Sequence, residues 1–377
     1  MRALVTGGAG FIGSHTVDLL LKKGYRVKVL DNLTPPVHQN GERPSYLPSD
    51  VEFILGDVRN KDALSKALKD VDVVFHLAAY QDYLPDFSKF FHVNTVSTAL
   101  IYELIVTQNL PIRKVIIASS QAVYGEGKYR CKLCSMKYRG IRYPSPRSLN
   151  QLKRKEWDIK CYTCDEKMIP VPTDEKKVNP HNQYAMSKYT QEMIALNLGK
   201  RYDIPTVCLR YSITQGSRQS FFNAYSGILR SFVVRLLNNQ PPIIYEDGRQ
   251  LRDYVWVGDV ARANLLVLED DRANFEVFNV GGGEKNTLTV LEYANLLINK
   301  LGKDIEPDIS GRFRFGDTRH IISDISKIKK LGWEPTCSID EIIDEYISWV
   351  EMQGDVIDYY AEAEQRMKQL NVVRLSR

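Results

Sequence analysis

Two residues in the string YAMSK, Tyr184 and Lys188, could carry acid–base chemistry. A spacing of four places both side chains on one face of a helix. An ammonium beside a phenol favours the phenolate and lowers the pKa of the phenol, so Tyr184 is a candidate base near neutral pH. A solvent-facing pair is the alternative interpretation, since the chain has 21 tyrosines. Ser120 ends the apolar run KVIIASS and could hold a substrate oxygen against Tyr184.

A glycine-rich turn near the start of the chain predicts a nucleotide site. Gly7, Gly10 and Gly13 are spaced as GxxGxxG directly after the apolar run RALVT. Glycines there permit a tight turn, close approach of the backbone to a pyrophosphate and packing of helix on strand. Asp31 ends the next apolar run, where a carboxylate can accept both ribose hydroxyls and repels a 2′-phosphate. This pattern favours NAD over NADP.

The elements that must position these residues alternate regularly along the chain. The strand-like runs are RALVTG, RVKVLD, VEFILGD, VDVVFHLAA, KVIIASS and PTVCLRY. Helical patterns are predicted at 15–23, 61–69, 93–108 and 184–202, and another at 224–238. Such alternation predicts an α/β fold with a doubly wound parallel sheet covered by helices on both faces. Asp57 would then end the third strand and flank the adenine, and Ala78-Ala79 would end the fourth and flank the nicotinamide ribose, although tight strand-end packing explains them equally well.

Composition limits the class of protein. The chain has 377 residues, 44% of them hydrophobic and 26% charged, which excludes disorder and allows one large domain or two ordinary ones. The sequence has neither the uninterrupted apolar run of a membrane span nor a signal-peptide core. We therefore expect a soluble cytoplasmic protein without a membrane partner. The six histidines do not form a ligand set, and His76 is expected to be a satisfied core residue.

A basic segment interrupts the alternation. Between Lys128 and Lys160 lie eleven Lys/Arg residues and two acidic ones, so the formal charge of +5 is concentrated there and the remainder is acidic. We interpret residues 127–170 as a loop insertion. It contains two CxxC units, Cys131-Lys-Leu-Cys134 and Cys161-Tyr-Thr-Cys164. Four thiolates in this arrangement favour a structural Zn²⁺ that folds the loop; redox pairs are the alternative. The insertion could be a lid, a partner surface or a solvated decoration.

An ordered set of motifs resembles the extended short-chain dehydrogenases/reductases that act on nucleotide sugars. The motifs are TGGAGFIGSH, LDN, GDVR, VFHLAA, ASSQAVYG, NQYAMSK, YEDGRQLRDYVWVGDVARA, FNVGGG, RFGD and SDISKIKKLGWEP. The resemblance implies a Rossmann-like sheet, a smaller mixed α/β substrate domain and NAD as the cofactor. It also implies that Ser120 is the catalytic hydroxyl, Tyr184 the base, and Lys188 the residue that binds the nicotinamide ribose.

The same resemblance implies further binding residues. The cofactor would be bound by Gly7, Gly10, Phe11, Ile12, Gly13, Asp31, Asn32, Asp57, Val58, Leu77, Ala78, Ala79, Tyr184, Lys188 and Tyr211. Arg252 and Arg314 match arginines that clasp the diphosphate of the substrate, a task that suits bidentate guanidinium geometry. Gln81 and Asn223 are candidate contacts to the sugar or phosphate.

The reaction type can be narrowed within this family. Related 4,6-dehydratases have an Asp-Glu pair after the catalytic hydroxyl, whereas this chain has Gln121 and Ala122, so C4 epimerisation through a 4-keto sugar is favoured. The strings AAYQDYLPDF, YSITQGSRQS and FFNAYSGILRSF are similar to those of dTDP-L-rhamnose 4-epimerases, and Ile213 could face the methyl group of a 6-deoxy sugar. UDP-glucose/UDP-galactose 4-epimerisation is the alternative. A different class of function is an NAD-binding regulatory protein with a zinc-knuckle interaction surface.

The expected organisation places the NAD-binding Rossmann domain at 1–215, containing the insertion at 127–170. Residues 216–250 and 279–350 would form the substrate-binding domain, and 251–278 would return to the first domain. Residues 351–377 would be a C-terminal helical tail, either on the surface or in contact with a partner. The resemblance implies a homodimer formed by the helix at 93–108 and the helix carrying Tyr184. A nucleotide sugar is the expected substrate, and nucleic acid is not an expected partner.

Overall fold

The computed structural model describes residues 1–134, 140–223, 227–354 and 356–376. The strands are β1 Arg2–Thr6, β2 Arg26–Asp31, β3 Glu52–Leu55, β4 Val73–His76, β5 Lys114–Ser120, β6 Tyr129–Arg130, β7 Ile141–Arg142, β8 Ile169–Pro170, β9 Thr206–Tyr211, β10 Ile213–Gln215, β11 Leu251–Trp256, β12 Val277–Val280, β13 Thr287–Thr289, β14 Arg312–Arg314 and β15 Val373–Leu375.

The helices are α1 Phe11–Lys22, α2 Lys61–Leu68, α3 Phe87–Phe90, α4 Ser97–Thr107, α5 Leu149–Lys153, α6 Gln183–Arg201, α7 Ile228–Leu237, α8 Val257–Glu269, α9 Val290–Lys300, α10 Ser326–Lys329, α11 Ile339–Glu351 and α12 Tyr360–Gln369. A π-helical turn, Phe91–Val96, joins α3 to α4, and short 3₁₀ turns lie at Gln121–Tyr124, Asp271–Ala273 and Glu284–Asn286. Residue 224, the predicted start of α7, lies outside the described residues.

The main sheet has seven strands in the order β12-β9-β5-β4-β1-β2-β3, and all its pairings are parallel. The six strand-like runs of the sequence supply six of these strands. The sheet is buried on both faces, because β1, β4, β5 and β9 carry apolar residues on both sides. One core lies against α1 and α8, and the other against α2, α4 and α6. The prediction of a Rossmann-like doubly wound sheet is confirmed.

A third apolar cluster forms where α7, α9 and α11 pack together around Tyr254 and Tyr293. The small sheet β10-β11-β13 joins this cluster to the main sheet, because β11 pairs with both neighbours. Ligands bind at the carboxyl ends of the parallel strands in sheets of this kind.

The insertion and the C-terminal residues have regular structure that the sequence analysis did not predict. The insertion folds into a three-stranded antiparallel sheet, β7-β6-β8, with α5 between β7 and β8. The final residues form α12 and then β15, which pairs antiparallel with β14. The tail at 351–377 thus contains the predicted helix, and its last strand, which was not predicted, completes a two-stranded sheet.

One helix meets the length and composition criteria for a membrane span, although the sequence analysis expected no such segment. Among the described residues, the continuous helix Phe87–Thr107 is long and apolar enough to cross a membrane by length and composition alone. In this fold it packs on α6 through polar contacts: Gln191 Nε2 donates to Thr98 Oγ1 at 2.9 Å, and Asn94 Nδ2 donates to Ser187 Oγ at 2.9 Å. A core helix satisfies the same criteria of length and composition.

Candidate active site

The glycine turn connects β1 to α1 so tightly that side chains are excluded. Gly7 has a φ of +68°, and a Cβ there would lie 2.7 Å from the backbone nitrogen of Ala78. A Cβ on Gly13 would lie 2.0 Å from the carbonyl oxygen of Gly7. Gly10 precedes α1 as its N-cap, and Phe11 and Ile12 begin the helix. The turn thus presents bare backbone and the start of a twelve-residue helix at the carboxyl edge of the sheet.

Two carboxylates stand beside this turn. Asp31, the last residue of β2, accepts hydrogen bonds from the backbone nitrogens of Ala9 at 3.0 Å and Leu33 at 2.9 Å. Asn32 donates to Oδ2 of Asp57 at 3.0 Å, and Arg59 donates to both oxygens of Asp57. Hydrogen bonding to Arg59 is the main cause that lowers the pKa of Asp57 to about 2. The structure therefore brings Asp31, Asn32 and Asp57 together at one corner, with Val58 buried beneath them.

The residues after β4 form the other wall of the turn. The backbone nitrogen of Leu77 donates to the carbonyl of Thr6 at 3.2 Å, and that of Ala78 donates to Thr6 Oγ1 at 3.3 Å. These bonds place the stretch Leu77-Ala78-Ala79 next to Gly7. Tyr211 is directed elsewhere: its hydroxyl donates to Asn264 Oδ1 at 2.6 Å and its ring is buried in the α1–α8 core. The side chain of this residue thus does not join the other predicted cofactor residues.

Ser120 and Tyr184 come together although they are far apart in the chain. Ser120 ends β5, where its hydroxyl also accepts a hydrogen bond from the backbone nitrogen of Ala122 at 3.1 Å. Tyr184 lies in the first turn of α6. The N-cap of this helix is Asn182, whose side-chain Oδ1 accepts a hydrogen bond from the backbone nitrogen of Ala185. Burial raises the pKa of Tyr184 to about 12, and the hydrogen bond from Ser120 opposes this increase.

Lys188 lies one turn after Tyr184 and is only 1% exposed. Burial lowers its pKa to about 7, against the opposing charge of Glu192. The predicted lowering of the Tyr184 pKa by Lys188 is not what this arrangement gives, because the tyrosine pKa moves in the opposite direction. The physical reason is desolvation, which disfavours the charged forms of both groups.

The two predicted diphosphate arginines lie outside the main sheet, Arg252 on β11 and Arg314 on β14. The guanidinium of Arg314 lies 3.6 Å from the ring centroid of Tyr83 and 4.9 Å from that of Tyr245. Arg252 donates to the carbonyls of Thr318 at 2.8 Å and Arg319 at 3.0 Å. The charge of Arg314 acts to lower the pKa of Tyr83, but burial and the charge of Asp317 outweigh it, so the pKa is raised.

Tyr83 connects the two sides of the site, and the sequence analysis did not single it out. Its ring lies 3.6 Å from the guanidinium of Arg314, and its charge adds to the rise in the pKa of Tyr184 that burial mainly causes. Gln81, the residue predicted in this loop, is exposed instead. The alternation of polar and aromatic residues in YQDYLPDF was the available signal, but it could not distinguish inward from outward positions.

Two further residues at the site were also missed. Asn94 is fully buried in the π-helical turn; its side chain accepts from the backbone nitrogen of Tyr80 at 2.8 Å and donates to the carbonyl of Tyr80 at 3.1 Å. It thereby fixes the start of the loop that carries Tyr83. Arg230 is buried beside the predicted residue Asn223, and burial lowers its pKa to about 10. A buried polar residue within the apolar helix 93–108 was the available signal for Asn94.

The structure also shows the surroundings of His76 and Ile213, for which the sequence analysis gave expectations. His76 is fully buried and bonded on both ring nitrogens, to Thr6 at 2.8 Å and Ser97 at 2.9 Å, so it is the satisfied core residue that was expected. Ile213 packs against the apolar cluster of α7, α9 and α11, so the structure does not direct it to the methyl group of a sugar.

The four cysteines of the insertion converge. The Sγ atoms are 3.5 Å apart for Cys131 and Cys164, 3.9 Å for Cys134 and Cys161, and 3.7 Å for Cys134 and Cys164. All four lie within 4.8 Å of one another. Four sulfurs at about 2.3 Å from a central ion would be about 3.8 Å apart, so the cluster has the dimensions of a tetrahedral metal site.

Comparisons with known proteins agree with this geometry. The sequence model of the NAD dependent epimerase/dehydratase family matches residues 3–139 and 163–281. A dTDP-L-rhamnose 4-epimerase from Burkholderia thailandensis is 33% identical over 362 residues, which are 94% of this chain and 96% of the relative.

Solved structures of nucleotide-sugar 4-epimerases are also similar to this chain. A UDP-glucose 4-epimerase from Thermotoga maritima, determined with UDP-glucose, aligns with a TM-score of 0.76 at 29% identity and covers 94% of this chain and 100% of its own. A UDP-glucuronic acid 4-epimerase from Bacillus cereus in complex with NAD aligns with a TM-score of 0.73 at 26% identity, again covering 94% of this chain and 100% of its own.

Proposed function

The chain belongs to the NAD dependent epimerase/dehydratase family, and we propose that it inverts C4 of a nucleoside-diphosphate hexose, with dTDP-L-rhamnose as the first candidate substrate. The observation that carries this proposal is that Ser120 ends β5 of the parallel sheet and that Tyr184 lies in the first turn of α6, which packs against β5. Tyr83 links this pair to Arg314 on the opposite side of the cleft. In this proposal the hydroxyl of Ser120, the phenol of Tyr184 and the guanidinium of Arg314 act on the same substrate.

The residues present fit NAD. The bare backbone from Gly7 to Gly13 leaves no space for side chains and suits a pyrophosphate at the start of α1. Asp31 lies at the end of β2, where its carboxylate can accept ribose hydroxyls and disfavours a 2′-phosphate. Phe11, Ile12, Asn32 and the stretch 77–79 would complete the site. NAD would supply the acceptor and donor of the electron pair removed from C4.

Each catalytic side chain has a task in this proposal. Tyr184 takes the proton from the O4 hydroxyl of the sugar and returns it after the 4-keto sugar has turned over. Ser120 holds O4 against the phenol. A protonated Lys188 stabilises the phenolate and binds the nicotinamide ribose, since its ammonium uses only one of three N–H donors for Gln191. Arg252 and Arg314 hold the diphosphate while the sugar rotates.

The choice of sugar rests on the relatives. The relative from Burkholderia thailandensis supports dTDP-L-rhamnose, and the structure from Thermotoga maritima supports UDP-glucose as the alternative. The position of Ile213 in the apolar cluster supports neither substrate. The regulatory interpretation is disfavoured because a sensor has no use for Ser120, Tyr184 and Lys188 gathered in one site.

The test is turnover on a panel of dTDP-, UDP-, GDP- and CDP-sugars, followed by NMR of the anomeric and C4 protons. We expect C4 inversion with dTDP-L-rhamnose at the highest kcat/KM. Inversion of UDP-glucose alone would transfer the proposal to the alternative substrate. Absence of C4 inversion across the panel in protein that retains NAD would overturn the proposed function.

We propose further that Cys131, Cys134, Cys161 and Cys164 bind a structural zinc ion. The sulfur separations support this proposal because they match the edges of a tetrahedral thiolate site. The alternative, a pair of redox CxxC units, would require each disulfide to form within its own unit. The cluster instead brings sulfurs of the two units together. A metal would fix an insertion whose own apolar cluster contains few residues besides the cysteines.

The homodimer is also a proposal. The helix Phe87–Thr107 and α6 pack side by side, and their outer surfaces carry the exposed apolar residues Val96, Val106, Met186 and Met193. Burying such residues between two copies would stabilise a dimer. Light scattering should give twice the mass of the chain, and Met193→Glu should shift it towards the monomer. We place the enzyme in the cytoplasm, where its free cysteines would stay reduced.

A further inference from the structure

The insertion contacts the segment that carries one predicted diphosphate arginine and anchors the other. This segment, residues 311–319, includes β14 and the RFGD motif and is named here the arginine segment. Arg147 of the insertion donates from Nη2 to the carbonyl of Asp317 at 2.8 Å. The contact spans 170 residues of sequence. It is therefore a property of the tertiary structure.

The hydrogen bond from Arg147 to Asp317 can affect Arg314 and Arg252, because each of them is bonded to Asp317 or to the residue after it. Asp317 Oδ2 accepts from Nε of Arg314 at 2.8 Å, so the residue that Arg147 holds also orients the guanidinium of Arg314. The next carbonyl along the segment, that of Thr318, accepts from Nη2 of Arg252 at 2.8 Å. Displacement of the Asp317 carbonyl would thus change the positions of both guanidinium groups.

Arg147 is held rigidly enough to serve as a support. Its side chain is 2% exposed, and Nη1 donates to Glu246 Oε2 at 2.8 Å and to the carbonyl of Trp157 at 3.0 Å. Glu126 lies 3.4 Å from Nε. A planar guanidinium can serve such divergent acceptors at once, whereas a lysine ammonium cannot reproduce the geometry.

Two other contacts join the insertion to the same segment. The ring of Trp157 lies 6.2 Å from that of Phe313, and Leu152 completes this small apolar cluster. Asp158 pairs with Arg319 at 3.1 Å. On its other side, β14 is paired with β15. The arginine segment is therefore held between the insertion and the C-terminal strand.

The excess of Lys and Arg in the insertion is explained by ion pairs within the chain and does not require a binding surface for nucleic acid. Within the described residues, many of its cations have acidic partners: Arg147 with Glu126 and Glu246, Lys128 with Asp174, Arg154 with Glu156, Lys160 with Glu156 and Asp165, and Lys167 with Asp158. Several of these acids belong to the insertion itself, and others lie outside it. The charges thus join the insertion internally and to the rest of the chain.

We propose that Arg147 is a positioning residue for nucleotide-sugar binding, which makes the insertion a support for the diphosphate arginines. This inference rests on the proposed function, because it assumes that Arg252 and Arg314 bind the diphosphate. The inference differs from the alternatives of a lid, a partner surface and a solvated decoration, since the contacts of Arg147 and Trp157 join the insertion to the arginine segment. The sugar end of the site, with Ser120 and Tyr184, lies on other elements.

The experiment compares Arg147→Met with Arg154→Met. Arg154 is an exposed arginine of the same insertion, paired with Glu156, and serves as the matched control. The affinity for dTDP, and for UDP in a parallel titration, is measured by calorimetry; KM and kcat follow on the preferred sugar nucleotide. We expect Arg147→Met to raise the dissociation constant for the nucleoside diphosphate and the KM on the order of tenfold. A tenfold change corresponds to the loss of one charge-assisted hydrogen bond. The kcat and the retained NAD should change little.

Two variants keep the test decisive if Arg147→Met fails to fold. Arg147→Lys preserves the charge and Trp157→Phe preserves an apolar contact, and both should raise KM by a smaller factor with kcat maintained. Cooperative melting and retained NAD establish that each variant is folded. Folded variants with unchanged dTDP affinity and KM would overturn the inference, as would an equal loss in Arg154→Met.

Arg314→Gln separates failure of the inference from failure of the proposed function. If Arg314→Gln does not weaken nucleoside diphosphate binding, the proposed role of that arginine is wrong and the inference falls with it. If Arg314→Gln weakens binding and Arg147→Met does not, the inference alone is wrong. In the double variant we expect the two losses to be less than additive, because Arg147 acts through Arg314; full additivity would contradict the proposal.

Discussion

Nζ of Lys188 donates a hydrogen bond to Oε1 of Gln191 at 2.8 Å, one turn further along α6. The side chain of Gln191 is in turn hydrogen-bonded to α4, because its Nε2 donates to Thr98 Oγ1 at 2.9 Å. The lysine is thus bonded within the helix pair instead of being paired with a carboxylate. Its charge in the folded protein consequently depends on pH near neutrality, since burial lowers its pKa to about 7.

This arrangement predicts how Lys188 affects stability. Its pKa is lowered from 10.5 to about 7 in the folded protein, so between these values the unfolded chain binds more protons. Stability therefore rises with pH across this window, by up to about 1.4 kcal/mol per pH unit for this group. In nucleotide-free protein, the free energy of unfolding of the wild type relative to Lys188→Met should increase from pH 7 to pH 10 in urea titrations. Lys200→Met, an exposed position on the same helix, is the control; a difference that does not vary with pH would contradict the assignment.

Replacing the proposed base should remove turnover and preserve the fold. We expect Tyr184→Phe to lower kcat by about 10²- to 10⁴-fold, because the proton at O4 then has no acceptor. The hydroxyl of Ser120 would remain without its phenol partner. NMR of the sugar protons measures turnover, and absorbance measures retained NAD. Tyr189→Phe on the same helix should keep wild-type activity, and a near-normal rate in Tyr184→Phe would disprove the role of the phenol.

The loop residue Tyr83 should affect substrate binding more than chemistry. Its ring lies 3.6 Å from the guanidinium of Arg314, so its removal leaves that cation only the more distant ring of Tyr245 at 4.9 Å. We expect Tyr83→Leu to raise KM for the sugar nucleotide about fivefold, which corresponds to about 1 kcal/mol. Tyr162→Leu, at an exposed tyrosine of the insertion, should leave KM unchanged. Equal KM values for both variants would refute the placement of Tyr83 in the substrate cleft.

The cysteine cluster predicts a measurable metal content. Elemental analysis should find about one zinc ion per chain, and Cys131→Ser should lose most of it together with several degrees of melting temperature, because metal binding stabilises the folded insertion. Cys337→Ser is the control, since Cys337 lies outside the cluster. Freshly purified protein without metal would show that the sulfurs associate for another reason.

The sequence predicted most of the Rossmann-like sheet because its signals are local. Apolar runs of strand length alternate with helical periodicity, and parallel strands must place their carboxyl ends at one edge. Gly7 and Gly13 could be assigned for the same reason, since a tight turn constrains only neighbouring residues. Ser120 and Tyr184 followed from their places at the end of one strand and the start of one helix.

The tertiary structure alone decided which side chains meet and in what charge state. The sequence contains no periodic signal for a bond between Arg147 and residue 317, or for the pairing of β15 with β14, because both join segments distant along the chain. Burial likewise reversed the expected direction for the pKa of Tyr184 and directed Tyr211 into the core. Desolvation depends on everything packed around a group, so spacing along the chain could identify the candidate residues but could not give their environments.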